Sequence, residues 1–287
     1  MSDKLRNFIV RTISGVVMFA IVLGAILFSK LSFGALIMLI TIGGVWEFYR
    51  LAQAAGYKPQ YIIGLSVAVI AITCSVSLML SIYGELPSEM YTVALLLGAG
   101  AIVLLPAMFI RELYTKSETP IANIGVTLMG LIYVALPMAM LPFIPLLLSS
   151  GEWQPWTVIF YIFIIWANDV FAYLFGITLG KHRLFERISP KKSWEGFFGG
   201  LLGAMSMGYV AAVVLDGNTF IWVGLALVAS LSGVFGDLVE SLFKRSVGVK
   251  DSGNIIPGHG GWLDRFDALI FSLPFVFIYL CIITAAY

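Results

Sequence analysis

Apolar runs of about twenty residues recur along almost the whole chain, and that is the length a helix needs to cross a ~30 Å hydrocarbon core. Such runs begin near Phe8, Leu31, Tyr61, Tyr91, Ile121, Trp156, Gly196, Phe220 and Phe266. The chain therefore reads as an all-α polytopic membrane protein with about nine transmembrane helices. Composition supports this: 60% of the 287 residues are hydrophobic and 11% charged, more apolar surface than one soluble core of this size hides. The stretch Phe143–Leu148, after Pro142, is too short to cross and reads as a loop or an interfacial piece. The short basic segment Met1–Arg11 precedes an apolar run that continues past Ala25 with only Lys30 interrupting it. It reads as a retained first helix rather than a cleaved signal. Cys74 and Cys281 fall inside spans and supply neither a disulfide framework nor metal spacing.

Charge orients these spans. With the N-terminus in the cytoplasm and the sides alternating, only Lys30 of the 17 lysines and arginines falls in an outer loop. The outer loops instead carry Glu85, Glu89, Glu152 and Asp216. Lysine and arginine in short loops resist translocation, so the asymmetry sets the orientation. The expected location is an inner (plasma) membrane of bacterial type, multi-pass, with the working groups facing the cytoplasm. For Arg50, Lys58, Arg111 and Lys116 a purely topogenic role suffices.

Acids inside spans are costly and usually functional. Asp169 lies in the sixth span, and Asp237 and Glu240 lie in the eighth. Gly233, Asp237, Glu240, Ser241 and Lys244 share one helix face by spacing, as do Asp169, Tyr173, Gly176 and Gly180. The bland reading of Asp237 or Glu240 is an ion pair with Lys244 or Arg245. Glu47 stands three residues before Arg50 near the end of its span, and a surface pair is expected there.

Two loops carry chemistry. Residues 181–195 hold Lys181, His182, Arg183, Arg187, Lys191 and Lys192, with Ser189 and Ser193 offering hydroxyls and Glu195 closing the SPKKSWEG motif. Lysines and hydroxyls of this density suit phosphate; a patch for anionic headgroups is the competing reading. Residues 244–265 alternate Lys244, Arg245, Lys250 and Arg265 with Asp251 and Asp264, and Asp267 follows. These aspartates, with Asp237 from the adjoining helix, are the hard oxygen ligands that Mg²⁺ takes beside substrate phosphates. Gly258, Gly260 and Gly261 permit tight turns whose N–H groups can face an anion. Together they are the equipment of metal-assisted phosphoryl or nucleotidyl transfer. His259 is open between general acid, phosphate contact and turn-fixing hydrogen bonder. Trp262 reads as an interfacial anchor.

These residues resemble the phosphatidate cytidylyltransferases, also called CDP-diacylglycerol synthases. Ser241, Lys244, Arg245, Lys250, Asp251, Pro257, His259, Gly260, Gly261, Asp264, Arg265 and Asp267 fill that family's long C-terminal signature at its spacings. Trp262 departs from it, standing where a smaller aliphatic is usual. Asn168–Asp169, Ala172–Tyr173, Gly176, Gly180–Lys181 and the segment Ser189–Gly196 resemble a second family block, with Asn168 for a common Ser and Ser193 for Thr. The detailed likeness covers roughly residues 155–270.

The resemblance implies transfer of CMP from CTP to phosphatidate, with CDP-diacylglycerol and pyrophosphate as products. It implies a requirement for Mg²⁺, with room for a second cation, and a membrane homodimer; no nucleic-acid partner is expected. By family analogy Asp237 and Asp264 are the first candidates for metal ligands, with Asp251 and Asp267 as further ones. The catalytic set is then Asp237, Lys244, Arg245, Lys250, Asp251, His259, Asp264 and Asp267. Asp169, Lys181, Ser189, Lys191, Lys192, Ser193, Glu195, Ser241, Gly260, Gly261 and Arg265 are the expected substrate contacts. Residues 1–150 are expected to form scaffold helices and 151–287 the catalytic region, within one integrated membrane domain. A CTP-dependent enzyme acting on an ether lipid or a polyprenol is the nearest rival. A cation-coupled transporter is a distant one, because the acids cluster toward one end of two helices and no repeat is visible.

Overall fold

The computed structural model describes residues 3–87, 89–149, 151–253, 255 and 260–286. His259, Pro257 and Gly258 lie outside the described residues. Among the described residues nine helices are long and apolar enough to cross a membrane, beginning at Ile9, Lys30, Tyr61, Glu89, Pro120, Pro155, Trp194, Thr219 and Leu263. The chain is an all-α multi-pass membrane protein, as the apolar runs require.

The first four helices are α1 (Asp3–Phe28), α2 (Lys30–Ala54), α3 (Tyr61–Ile82) and α4 (Glu89–Thr115). Ser29 caps α2 reciprocally with Ser32, satisfying N–H groups that a helix start leaves open. The fifth span is segmented: α5 (Pro120–Gly130), a π-helical turn at Leu131–Ala135, α6 (Leu136–Met140), a 3₁₀ turn at Leu141–Phe143, and α7 (Ile144–Leu148). Pro137 lacks an N–H and crowds the carbonyl four residues back. The backbone widens there, and the Leu136 N–H bonds to the Leu131 carbonyl. Of the two readings of Phe143–Leu148, a loop or an interfacial piece, the loop is corrected: the segment is helical and continues the apolar stretch Pro120–Leu148. The prolines that break the apolar pattern shift the hydrogen-bond spacing without ending the helix.

After these come α8 (Pro155–Leu179), an antiparallel hairpin of β1 (Arg183–Phe185) and β2 (Ser189–Ser193), α9 (Trp194–Val214), α10 (Thr219–Ser246) and α11 (Leu263–Ala286). The hairpin pairs Arg183 with Ser193 and Phe185 with Ser189.

The chain divides into two compact units. One comprises Met1–Pro142 with Ser246–Phe266. It packs α3 against α2 and α4, with Ile26, Ile37, Ile72, Met79, Met108 and Met138 fully buried. Tyr49 is buried among them and donates to the Thr127 carbonyl at 2.9 Å. The other comprises Phe143–Arg245 with Asp267–Tyr287, and its dominant contact is α8 on α9. Small residues allow that approach, as membrane helix pairs commonly require. A Cβ on Gly196 would lie 2.7 Å from the Ala172 carbonyl, and one on Gly200 2.7 Å from Asn168 Oδ1. Asn168 is buried, and its Oδ1 accepts from the Ser230 hydroxyl of α10. One polar side chain thus fixes three helices that carry site residues.

Candidate active site

In the second unit a cavity of about 500 Å³ is lined by Asn168, Asp169, Tyr173 and Gly176 of α8, by Arg183, Lys191, Lys192 and Ser193 of the hairpin, and by Gly233 and Asp237 of α10. The volume lies within the usual range for small-molecule sites. The two helix stripes expected from spacing thus meet in one cavity, with the basic hairpin beside them. Lys192 Nζ lies 2.6 Å from Asp237 Oδ2, so the partner of Asp237 is Lys192 rather than Lys244 or Arg245. The Ser241 hydroxyl donates to Asp237 Oδ1 at 3.2 Å. Two carboxylates and three cations on the walls of one cavity can hold phosphate while keeping its charge balanced.

The hairpin owes its shape to Glu195. Its Oε2 accepts from the Lys181 and His182 backbone N–H groups, and Oε1 lies 2.6 Å from His182 Nδ1. Ser193 accepts from the Gly196 N–H and caps α9. These two residues, expected at the substrate, are placed to close the hairpin onto the helix, with Ser193 also on the cavity wall. Ser189 opens β2. On α10, Glu240 and Lys244 form a buried i, i+4 ion pair. Asp267 accepts from the Ala268 N–H at 2.7 Å.

The first unit holds the rest of the long motif. Asp264 Oδ2 accepts from the Ser252 N–H at 2.9 Å, the Ser252 hydroxyl at 3.0 Å and the Gly261 N–H at 2.8 Å. Gly260 adopts φ +87, a conformation open mainly to glycine, which brings Asp264 Oδ2 close beneath it. Lys250 and Asp251 are exposed on this loop, and Arg265 is exposed in the first turn of α11.

One expectation is corrected here. Glu47 makes no surface pair with Arg50; it is fully buried, and its Oε2 accepts from the Ser252 hydroxyl at 2.9 Å and the Leu263 N–H at 3.0 Å. Arg50 instead lies over the Trp46 ring. Trp262 packs against α2 at Gly43 and stacks on Phe266. A Cβ at position 43 would lie 2.5 Å from its ring, so Gly43 supplies the room for this larger side chain.

The profile of the cytidylyltransferase family matches residues 9–283, nearly the whole chain. The chain belongs to the cytidylyltransferase family. Its similar relatives include the phosphatidate cytidylyltransferase of Staphylococcus aureus (strain COL), 49% identical over 125 residues, 43% of this chain and 48% of that protein. Those of Staphylococcus epidermidis (strain ATCC 12228) and Staphylococcus saprophyticus are 50% and 47% identical over the same length. In these alignments the chain spans about half the length of the curated relatives it matches.

Proposed function

We propose that this protein transfers CMP from CTP to phosphatidate, releasing pyrophosphate and forming CDP-diacylglycerol. The observation that carries the reading is the cavity in which Asp169 and Asp237 stand with Arg183, Lys191 and Lys192. Relatives named phosphatidate cytidylyltransferase support the choice of substrates. In the reaction a phosphatidate oxygen forms a bond to the α-phosphorus of CTP. The bond from that phosphorus to the β-phosphate oxygen breaks, and its electron pair leaves with pyrophosphate.

A phosphate monoester with a second pKa of about 6 is already anionic at neutral pH, so attack needs no strong base. What the protein must supply is alignment and charge neutralisation. Lys191, Lys192 and Arg183 bind phosphate oxygens. The arriving anion competes with Asp237 for Lys192 and releases that carboxylate.

Mg²⁺ takes one or two carboxylates and fills its other positions with water and substrate phosphate. Asp169 and Asp237 on one cavity fit that demand, and among the described residues no group of three His, Cys, Asp or Glu residues forms a self-sufficient metal site. Asp237 is the proposed ligand in this unit, with Asp169 beside it. Asp264 is the proposed ligand in its own unit, where its Oδ2 is fixed by three donors. The bound ion would draw charge from the phosphates.

The one-sided distribution of lysine and arginine supports a cytoplasmic site, where CTP is available. A homodimer is proposed with this reading, and the mass of the protein in detergent tests it. Conversion of CTP with phosphatidate, but not with a polyprenol or an archaeal ether lipid, tests the substrate. Transfer to the other lipids alone would overturn it.

A further inference from the structure

We propose that Glu47 of α2, outside both family motifs, is the positioning residue that sets Asp264 and the start of α11. The proposal builds on the transfer reaction above. Its core is geometric. Glu47 is completely buried, and its Oε2 takes two donors from the distant motif: the Ser252 hydroxyl and the Leu263 N–H. Leu263 is the first residue of α11, and its N–H is one of those that a helix leaves without an internal acceptor. A carboxylate from another helix therefore serves as the cap, with the favourable sign for a helix N-terminus. The Ser252 hydroxyl lies 2.9 Å from Glu47 Oε2 and 3.0 Å from Asp264 Oδ2, so its single proton is shared between the two carboxyl groups.

The backbone is shaped around the same side chain. A Cβ on Gly253 or on Gly261 would collide with the Glu47 carboxylate oxygens. The second glycine of the His-Gly-Gly motif is thus needed for room. The face of α2 that presents Glu47 also presents Gly43 and Gly44, which receive Trp262 and Leu263. Glu47 Oε1 has no hydrogen-bond partner among the described residues, and burying an oxygen this way is costly.

The test compares Glu47→Ala, Glu47→Gln, Gly261→Ala and the double variant Glu47→Ala/Gly261→Ala in the purified full-length protein. Two readouts are taken: CMP transfer, and hydrogen exchange of the Gly261 and Leu263 amides. Gln keeps one carbonyl oxygen able to accept both donors and places its amide at the unpartnered position. Glu47→Ala is expected to speed exchange at both amides and to lower kcat by about 10²-fold, the scale of an ångström-sized misplacement. KM for CTP should change much less, and Glu47→Gln should recover most of both losses. In the double variant the clash of the new methyl with the Glu47 oxygens is removed while that with Ser252 Oγ stays, so the two effects should fall short of additive. Unchanged exchange in Glu47→Ala, or a Gln variant as inactive as Ala with normal exchange, would overturn the proposal. If the parent protein transfers no CMP, the functional reading fails, and the amide exchange still decides the role of Glu47.

Discussion

Asp237 carries the most of the account at the scale of single residues. It lines the cavity, faces Lys192 at 2.6 Å and receives the Ser241 hydroxyl. Asp237→Asn keeps the shape and removes the charge. Its CMP transfer should fall by about 10²–10³-fold, the usual loss when one preorganised electrostatic contact is removed, and the residual activity should need more Mg²⁺. Activity at the parent level across a Mg²⁺ titration would rule Asp237 out as a ligand. Lys192→Met should act differently, raising KM for CTP or phosphatidate because a phosphate contact is lost. Steady-state kinetics with each substrate varied in turn would show which phosphate Lys192 meets.

Most of these residues were visible in the sequence, because charge inside an apolar span has few explanations. Asp169 and Asp237 stand out on that ground alone, and helical spacing aligns them with Tyr173, Gly176 and Gly233, which share their cavity. Glu47 obeys the same rule. It was hidden by Arg50 three residues on, which offers a cheaper local partner, whereas its actual donors lie more than two hundred residues away. The partner of Asp237 was hidden for a similar reason: Lys244 and Arg245 are near in sequence, while Lys192 reaches it through a hairpin. Side-chain pairing across long loops is not encoded in spacing.

At the scale of elements, contact between helices rests on absent side chains. Gly196 and Gly200 bring α9 against the backbone of α8, and Gly43 admits Trp262. Gly200→Ala would press a methyl onto Asn168 and cost about 1–3 kcal/mol as overpacking. It should lower the melting temperature in detergent and weaken the tie to Ser230; an unchanged melt would contradict the packing. Gly43→Ala should be as damaging by itself and should be relieved by Trp262→Leu, which removes the ring that the new methyl would meet. Failure of that rescue would mean that Gly43 is glycine for another reason. The starts of the long helices were legible from the apolar runs. The hairpin was not, since Arg183–Phe185 and Ser189–Ser193 lack an alternating pattern and are held by Glu195 and Ser193 instead. The helical course of Phe143–Leu148 was also missed, because its prolines resemble loop signals until the widened turn is seen.

For the molecule as a whole, the charge asymmetry and the cavity make one claim about sidedness. Single cysteines placed in a variant lacking Cys74 and Cys281 would test it. Arg187→Cys should react with a membrane-impermeant reagent only from the cytoplasmic side, and Asp216→Cys only from the other. The reverse pattern would place the site away from its nucleotide. The division into two compact units, each holding part of the long motif, could not be read from the sequence. The motif is continuous along the chain, whereas its packing is divided at Arg245 and again at Phe266.

The most direct measurement is transfer of label from [α-³²P]CTP by the purified protein in the presence of phosphatidate and Mg²⁺. Expected are a lipid-soluble product carrying the α-phosphate, released pyrophosphate in equal amount, no product without Mg²⁺, and near-complete loss in Asp237→Asn. Label that stays in the aqueous phase with the parent protein, or a product formed equally well by Asp237→Asn, would contradict it.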